Sequence, residues 1–344
     1  MKVTINDVAK HAGVSIKTVS RVTNNEPSVK QATIDKVNEA IKVLDYQPNL
    51  AARNLAGTKS YVIGFVYDNP NAYYVIDMQN GILSSCKKLG YDLLIHPCDS
   101  KGDNICNELT TMVKHARLAG LVLTPPLSED PKILKALDEI NANYVRIIAG
   151  GEVKDDTGLA VLVNDKHGAV SITQHLIDLG HKSIAFLSGD QHHESTKERL
   201  AGFTQAMQTN KLPVESNNII SGQYSFESGV NGAKELLKRP QSKRPTAIVA
   251  CNDEIAAGAL FAARLEGLDI PNDLSIVGFE DSPFSRQTWP KLTTVHQPTQ
   301  KIAQIATELL IAKRRSTNDE RAKIFIPEPV IRDSSSKVKP SLKN

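Results

Sequence analysis

Residues 4–24 read TINDVAKHAGVSIKTVSRVTN, and this stretch decides how the start of the chain folds. Thr4 and Asp7 stand three apart as an acidic version of a capping box, which predicts a helix opening there and running through Ala12. Gly13 stops it, because the tight turn that follows needs a residue tolerant of left-handed backbone. Ser15 is placed to cap a second helix, whose Val19 and Val22 point inward at i, i+3 spacing. Ala9 is small enough for two helices to approach, Gly13 turns the chain, and the valines lock the pair. That is the requirement of a helix-turn-helix, although any three-helix bundle with a glycine turn shares it.

Outward from this stretch, Asn24-Asn25-Glu26-Pro27 reads as a polar loop. A third helix is predicted over about residues 30–45, with Ile34, Val37, Ile41 and Leu44 as its apolar stripe, and Pro48 ends the unit. The formal net charge of the whole chain is +3. All of that excess lies in residues 1–57, where eight Lys/Arg stand against five Asp/Glu. A positive head on a neutral body suits contact with phosphate. The 344 residues are 40% hydrophobic, enough for two or three globular units. No apolar run reaches membrane-spanning length and no signal peptide is legible, so a cytoplasmic protein is expected. Cys86, Cys98, Cys106 and Cys251 form no C-x-x-C pair and read as buried free thiols.

Residues 4–24 resemble the head of the lactose-repressor/galactose-repressor family. The runs Tyr46-Gln47-Pro48-Asn49 and Ala51-Ala52-Arg53-Asn54-Leu55 resemble that family's hinge helix, and the similarity extends to about residue 333. The resemblance implies a second helix in the major groove of operator DNA. Arg21 would then grip guanine, Ile16 would meet a thymine methyl, and Lys17 would contact a base or phosphate. Ser15, Thr18 and Ser20 would cap the helix or position it on phosphate. In the hinge, Asn49, Arg53 and Leu55 match minor-groove positions, with Leu55 wedged into the central base step.

From Tyr61 on, short apolar runs alternate with helical patterns. Strands are expected at 61–67, 91–95, 120–123, 144–148, 160–163, 183–187, 219–221, 247–250, 274–279 and 292–295. Such alternation predicts parallel sheets covered by helices. The fold class is therefore an all-α helix-turn-helix head plus an α/β two-lobed body, which resembles the periplasmic sugar-binding fold. The expected division is 1–47 for the DNA-binding domain and 48–60 for hinge and linker. Residues 61–333 form the effector-binding and dimerisation domain, its N-lobe about 61–162 plus 295–325 and its C-lobe about 163–293. Residues 334–344 are expected as a flexible tail without a leucine heptad, so a homodimer is the default assembly.

No nucleotide-binding glycine motif, nucleophile elbow or metal-ligand set is legible, so no enzyme activity, cofactor or metal is expected. Polar and aromatic groups cluster instead at strand ends, where ligands of such sheets bind. The candidate effector contacts are Tyr73, Tyr74, Arg146, Arg199, Tyr224, Asn252 and Glu280. The run Glu198-Arg199-Leu200-Ala201-Gly202-Phe203 matches a family signature whose arginine reaches the ligand; a salt bridge with Glu194 or Glu198 is the alternative. Asp253 reads as a helix cap and Asn252 as the better ligand contact. Glu280 departs from the family's usual Asp, Ile148 stands where some relatives carry a polar group, and Trp289-Pro290 resembles a variant among sugar regulators. The function expected is a repressor of sugar-utilisation genes released from a palindromic operator by a sugar. A corepressor-dependent regulator sensing a purine or other metabolite is the alternative. A transport binding protein would share the body but lack the head.

Overall fold

The computed structural model describes residues 3–23, 28–46, 60–69, 71–150, 158–312 and 322–338. Asn49, Arg53 and Leu55 lie outside the described residues. The chain separates into two compact units, Met1–Tyr61 and Val62–Asn344.

In the first unit, α1 (Ile5–Ala12), α2 (Ile16–Thr23) and α3 (Gln31–Val43) surround one small core. The Thr4 amide and hydroxyl both donate to the Asp7 carboxylate, at 2.9 and 2.7 Å, so the expected capping box is present. Gly13 sits at φ 64° and hands the chain from α1 to α2. The Thr18 amide donates to Ser15 Oγ at 3.1 Å, the cap predicted for α2. Val8, Val19 and Val37 are fully buried, one from each helix. Each contributes about 1.5–3 kcal/mol, and with so short a chain these few contacts decide whether the unit folds.

The second unit contains two lobes. The first has a six-stranded sheet of β1 (Val62–Tyr67), β2 (Asp92–Pro97), β3 (Gly120–Leu123), β4 (Tyr144–Ala149), β5 (Leu159–Val163) and β11 (Ala322–Phe325). Its order is β11-β5-β4-β3-β1-β2 and every pairing is parallel. On one face, α4 (Ala72–Leu89) and α12 (Thr299–Ala312) bring Met78, Ile82, Ile302 and Ala306 onto the sheet. On the other, α5 (Ile105–His115) and α6 (Pro131–Glu139) bring Leu109, Ile133 and Leu137. Both faces being covered explains why β3 and β4 read as unbroken apolar runs rather than alternating ones.

The second lobe has a four-stranded parallel sheet of order β7-β6-β8-β9, from β6 (Ile184–Leu187), β7 (Ile219–Ile220), β8 (Ala247–Ala250) and β9 (Ser275–Val277). Helices α7 (Asp165–Asp178), α8 (Glu194–Thr209), α9 (Phe226–Leu237) and α10 (Asp253–Leu265) cover it. Helices α9 and α10 touch backbone to backbone: a Cβ on Gly258 would strike the Phe226 carbonyl, and one on Gly229 the Ile255 carbonyl. Short α11 (Pro283–Gln287) follows, and β10 (Thr294–His296) pairs antiparallel with β12 (Glu328–Val330).

The chain passes between the lobes three times: after β5, between β10 and α12, and between β11 and β12. The last crossing corrects the expected boundaries, because residues 328–338 belong to the second lobe. Over residues 334–338 the flexible tail expected from Ser334 is corrected with it, and the rest of that expected tail lies outside the described residues. Ser334 is fully buried, its hydroxyl donates to the Ile276 carbonyl, and the Val338 amide donates to the Leu179 carbonyl at 3.0 Å. A polar stretch looks like a tail in sequence, yet here its polarity completes backbone hydrogen bonds at the edge of a buried sheet.

Candidate functional site

Each sheet has a point where neighbouring strands send their connections to opposite sides, between β1 and β3 in the first lobe and between β6 and β8 in the second. Ligands of open α/β sheets collect beyond the carboxyl ends of strands at such points. Asn69 and Asn71 follow β1, Pro125 follows β3, and Asp165 follows β5. From the second lobe come His193 and Ser195 after β6, Tyr224 after β7 and Glu280 after β9. These residues wall one cavity with about 490 Å³ of unfilled space, part of it open to solvent.

Arg199, on α8, is the hub. It is only 4% exposed. Its Nε donates to Asp165 Oδ1 at 2.8 Å and its Nη1 to the Cys251 carbonyl at 2.8 Å. Nη1 also reaches Glu280 at 3.5 Å, Nη2 reaches Gln297 at 3.4 Å, and the guanidinium carbon lies 4.0 Å above the Phe279 ring. Burial works against its charge, but Asp165, Tyr224, Cys251 and Glu280 outweigh burial and hold its pKa well above the arginine value. The sequence suggested Glu194 or Glu198 as salt-bridge partners. The structure supplies Asp165 instead, from the crossing after β5.

Glu280 links the lobes. Asn71, from the first lobe, donates through Nδ2 to Glu280 Oε2 at 2.8 Å, while Asn71 Oδ1 accepts from the Tyr73 and Tyr74 amides to cap α4. Burial pushes the Glu280 carboxyl up to about 7, opposed by Arg199 and Asn71. Glu280 has φ 101° and Asp281 φ 56°, a left-handed pair in which neither residue is glycine. Such backbone persists only when its surroundings over-determine it. Arg332 Nη2 donates to Asp281 Oδ1 at 2.6 Å, Ser285 donates to the same oxygen at 3.0 Å, and His296 lies 3.1 Å from Oδ2.

Four of the expected effector residues meet at this cavity: Tyr74, Arg199, Tyr224 and Glu280. The Tyr224 hydroxyl bonds Thr196 at 2.7 Å and Ser195 at 3.2 Å. Three others do not reach its wall. Tyr73 packs edge-on against Phe284, ring centres 5.4 Å apart. Arg146 is buried and its Nε donates to the Ser128 carbonyl at 2.6 Å, so it braces the turn at 127–129. Asn252 caps α10 by accepting from the Ile255 amide at 2.9 Å. Asn252 thus takes the cap role expected of Asp253, and Asp253 is instead a buried carboxylate that accepts from the Ser282 amide at 2.7 Å and from the Thr294 hydroxyl. Trp289, 71% exposed, is also away from the cavity. Sequence missed Asn71, His193 and Gln297. Asn71 was findable, as an Asn directly before a helix that follows the first strand.

A vestibule lies outside the cavity and shares Asn69, His193 and Tyr224 with it. Glu129 faces it and accepts from the Ala149 amide at 3.0 Å; burial pushes its carboxyl up to about 7. Among the described residues no group of His, Cys, Asp and Glu is arranged to hold a metal, and no helix is long and apolar enough to cross a membrane.

In the head, α2 buries Val19 and Val22 and turns Ser15, Ile16, Lys17 and Arg21 outward. Lys17 and Arg21 are one helical turn apart on one face. Ile16 is 50% exposed, an apolar side chain left in water beside two cations. Thr18 and Ser20 are half-buried; Thr18 Oγ1 pairs with Ser15 Oγ at 2.9 Å, and Ser20 offers its carbonyl to Thr23.

Comparison with known proteins matches both units. The model of bacterial regulatory proteins of the lacI family covers residues 4–49, and that of a periplasmic binding protein-like domain covers residues 173–335. Catabolite control protein A of Priestia megaterium is 32% identical over 312 residues, spanning 90% of this chain and 92% of its own. A lac repressor dimer bound to operator and the anti-inducer ONPF superposes with a TM-score of 0.77 at 28% identity, over 98% of this chain and 100% of that one. A complex of the transcriptional regulator CelR with cellobiose superposes with a TM-score of 0.72 at 26% identity, over 97% and 100%.

Proposed function

The chain belongs to the lacI family of bacterial regulatory proteins, and from that premise we propose that it is a sugar-released repressor acting as a homodimer on a palindromic operator. The observation that carries the effector half is the buried Arg199–Asp165–Glu280–Asn71 cluster, which joins the two lobes through polar groups inside the cleft. A ligand rich in hydroxyl groups can exchange hydrogen bonds with that cluster, and so change how strongly the lobes hold each other. The similarity to the CelR–cellobiose complex supports a sugar.

On the DNA side, Arg21, Lys17 and Ile16 meet base edges, while Ser15, Thr18 and Ser20 fix the helix on phosphate. Asn49, Arg53 and Leu55 act in the minor groove, with Leu55 opening the central step. Effector-driven movement of the lobes alters the spacing of the two hinge segments in the dimer, and the operator is released. The test is operator affinity at fixed salt, titrated with sugars. Release by a sugar, lost in Arg199→Lys while operator binding is retained, supports the proposal. Tighter operator binding in the presence of ligand makes the ligand a corepressor. A normal response in Arg199→Lys moves the effector site elsewhere.

A further inference from the structure

Two anchored helices meet across the cleft. Helix α4 is fixed in the first lobe: Met78 and Ile82 are fully buried, and the Ser85 hydroxyl donates to the Gln304 carbonyl of α12 at 3.2 Å. Helix α11 is fixed in the second: Ser285 is fully buried, its hydroxyl donates to the Ser282 carbonyl at 2.7 Å, and its carbonyl accepts from the Leu292 amide at 2.8 Å. From the start of α4, three side chains cross to the segment that carries α11. Asn71 donates to Glu280 on the cavity side. Tyr73 lies edge-on to Phe284, ring centres 5.4 Å apart and planes at 88°. Burial raises the Asp77 carboxyl, and the charge of Arg286 opposes that from the other lobe. Packed bodies move as units, so the three contacts form one seam that opens or closes together.

With the seam closed, the cavity behind it is too tight for a ligand. Of its unfilled space only about 40 Å³ is wide enough to take water, room for a few molecules and far below the roughly 300–1,000 Å³ of ligand pockets. The vestibule outside has about 800 Å³ by the same measure. A molecule can therefore collect in the vestibule, but it enters the cavity only when the lobes part. The contacts that resist parting differ in strength. Lys101 and Asp190 meet across the vestibule at 3.8 Å, but the lysine is 66% exposed and water screens the pair. Asp77 and Arg286 are exposed too. Tyr73 and Phe284 are half-buried, lie off the cavity wall and meet in the geometry that aromatic rings favour.

We infer that Tyr73 and Phe284 are a clasp between the lobes that gates the cavity: the seam must part for a ligand to enter, and the aromatic contact sets how often it does. Both are positioning residues, since neither ring touches the cavity. Their bearing on the effector rests on the cleft being the effector site proposed above; the clasp itself does not.

The test needs no effector. Ala149 is on the cavity wall and 8% exposed, so in full-length Ala149→Cys the thiol at that position reacts with iodoacetamide only as fast as the cavity opens. Peptide mass reads each cysteine separately. Adding Tyr73→Ala or Phe284→Ala is expected to speed labelling at position 149 about two- to tenfold, the worth of an aromatic pair. Tyr73→Phe, which keeps the ring, is expected to label at the parental rate, and the double alanine variant no faster than the faster single one. Cys86, buried on α4 itself, is expected to keep its rate, which separates parting of the lobes from loosening of the helix. Unchanged labelling at position 149, a rise that Cys86 shares, or an equal rise in Tyr73→Phe overturns the clasp. The same proteins without Ala149→Cys, bound to operator, are then mixed with glucose, galactose and cellobiose. A sugar that releases operator is expected to act faster in the alanine variants by the factor seen in labelling, and an equal rate in all of them overturns the gate. If none of the three releases operator, the sugar-released repressor loses support while the labelling still decides the clasp.

Discussion

Glu129 and Arg332 show how single side chains set the terms for the cleft. Burial raises the Glu129 carboxyl to about 7 against an ordinary 4.5. A carboxyl whose folded pKa is raised stabilises the fold below the ordinary value and loses that contribution as pH rises through the folded one. Thermal melts of wild type and Glu129→Gln are therefore expected to coincide near pH 4 and to separate by roughly 2 °C or more near pH 8, with the variant higher. Equal pH slopes would remove Glu129 from this role. Arg332 acts through Asp281. It donates to that carboxylate at 2.6 Å and to the Leu292 carbonyl at 3.0 Å, and so pins the left-handed turn that aims Glu280 at Asn71. Arg332→Gln is expected to weaken effector binding about tenfold and to leave operator affinity without effector unchanged, with partial rescue by Arg332→Lys, because a point charge replaces only part of a bidentate fork. A variant that binds effector normally would show that the turn holds without it.

At the scale of elements, the recognition helix was legible from sequence in nearly every detail. Thr4, Asp7, Gly13 and Ser15 stop and start helices by local hydrogen bonding, and all four do so in the structure. Arg21→Ala is expected to relax base preference at one symmetric pair of operator positions, at a cost of about 1–3 kcal/mol in discrimination. Selection of preferred operators by the variant, compared with wild type at the same salt, checks this. A uniform loss across all sequences would assign Arg21 to phosphate. Caps within the body were less legible. Asn252 and Asp253 are adjacent and both are good cap residues, so the sequence does not say which one faces the helix amides. Burial of Asp253 against Ser282 and Thr294 decides it, and those partners lie 29 and 41 residues away.

For the whole molecule, the decisive quantity is a coupling free energy between cleft and operator. Such couplings are typically about 1–3 kcal/mol and are reciprocal. Saturating operator DNA is therefore expected to weaken sugar binding by the same factor by which the sugar weakens operator binding, roughly 5–150-fold. Calorimetric titration of sugar into the protein with and without operator measures it. Unequal factors at equilibrium would mean that the ligand titrated is not the one responsible for release.

The sequence by itself determined the helix-turn-helix, the strand–helix alternation and the place of Arg199 in the cleft, because each rests on local periodicity, capping or a contiguous motif. It did not determine who answers Arg199, which tyrosine reaches the cavity, or what the last residues do. Asp165 comes to Arg199 from 34 positions away and Glu280 from 81, and Asn71 meets Glu280 across 209. Arg146 has the charge expected of a ligand contact, but its strand is covered on both faces, so it satisfies the Ser128 carbonyl instead. The polar run from Ser334 became part of the second lobe for the same reason. Only the third crossing of the chain brings it beside a sheet edge whose backbone groups need partners, and no property of residues 334–338 taken alone encodes that edge.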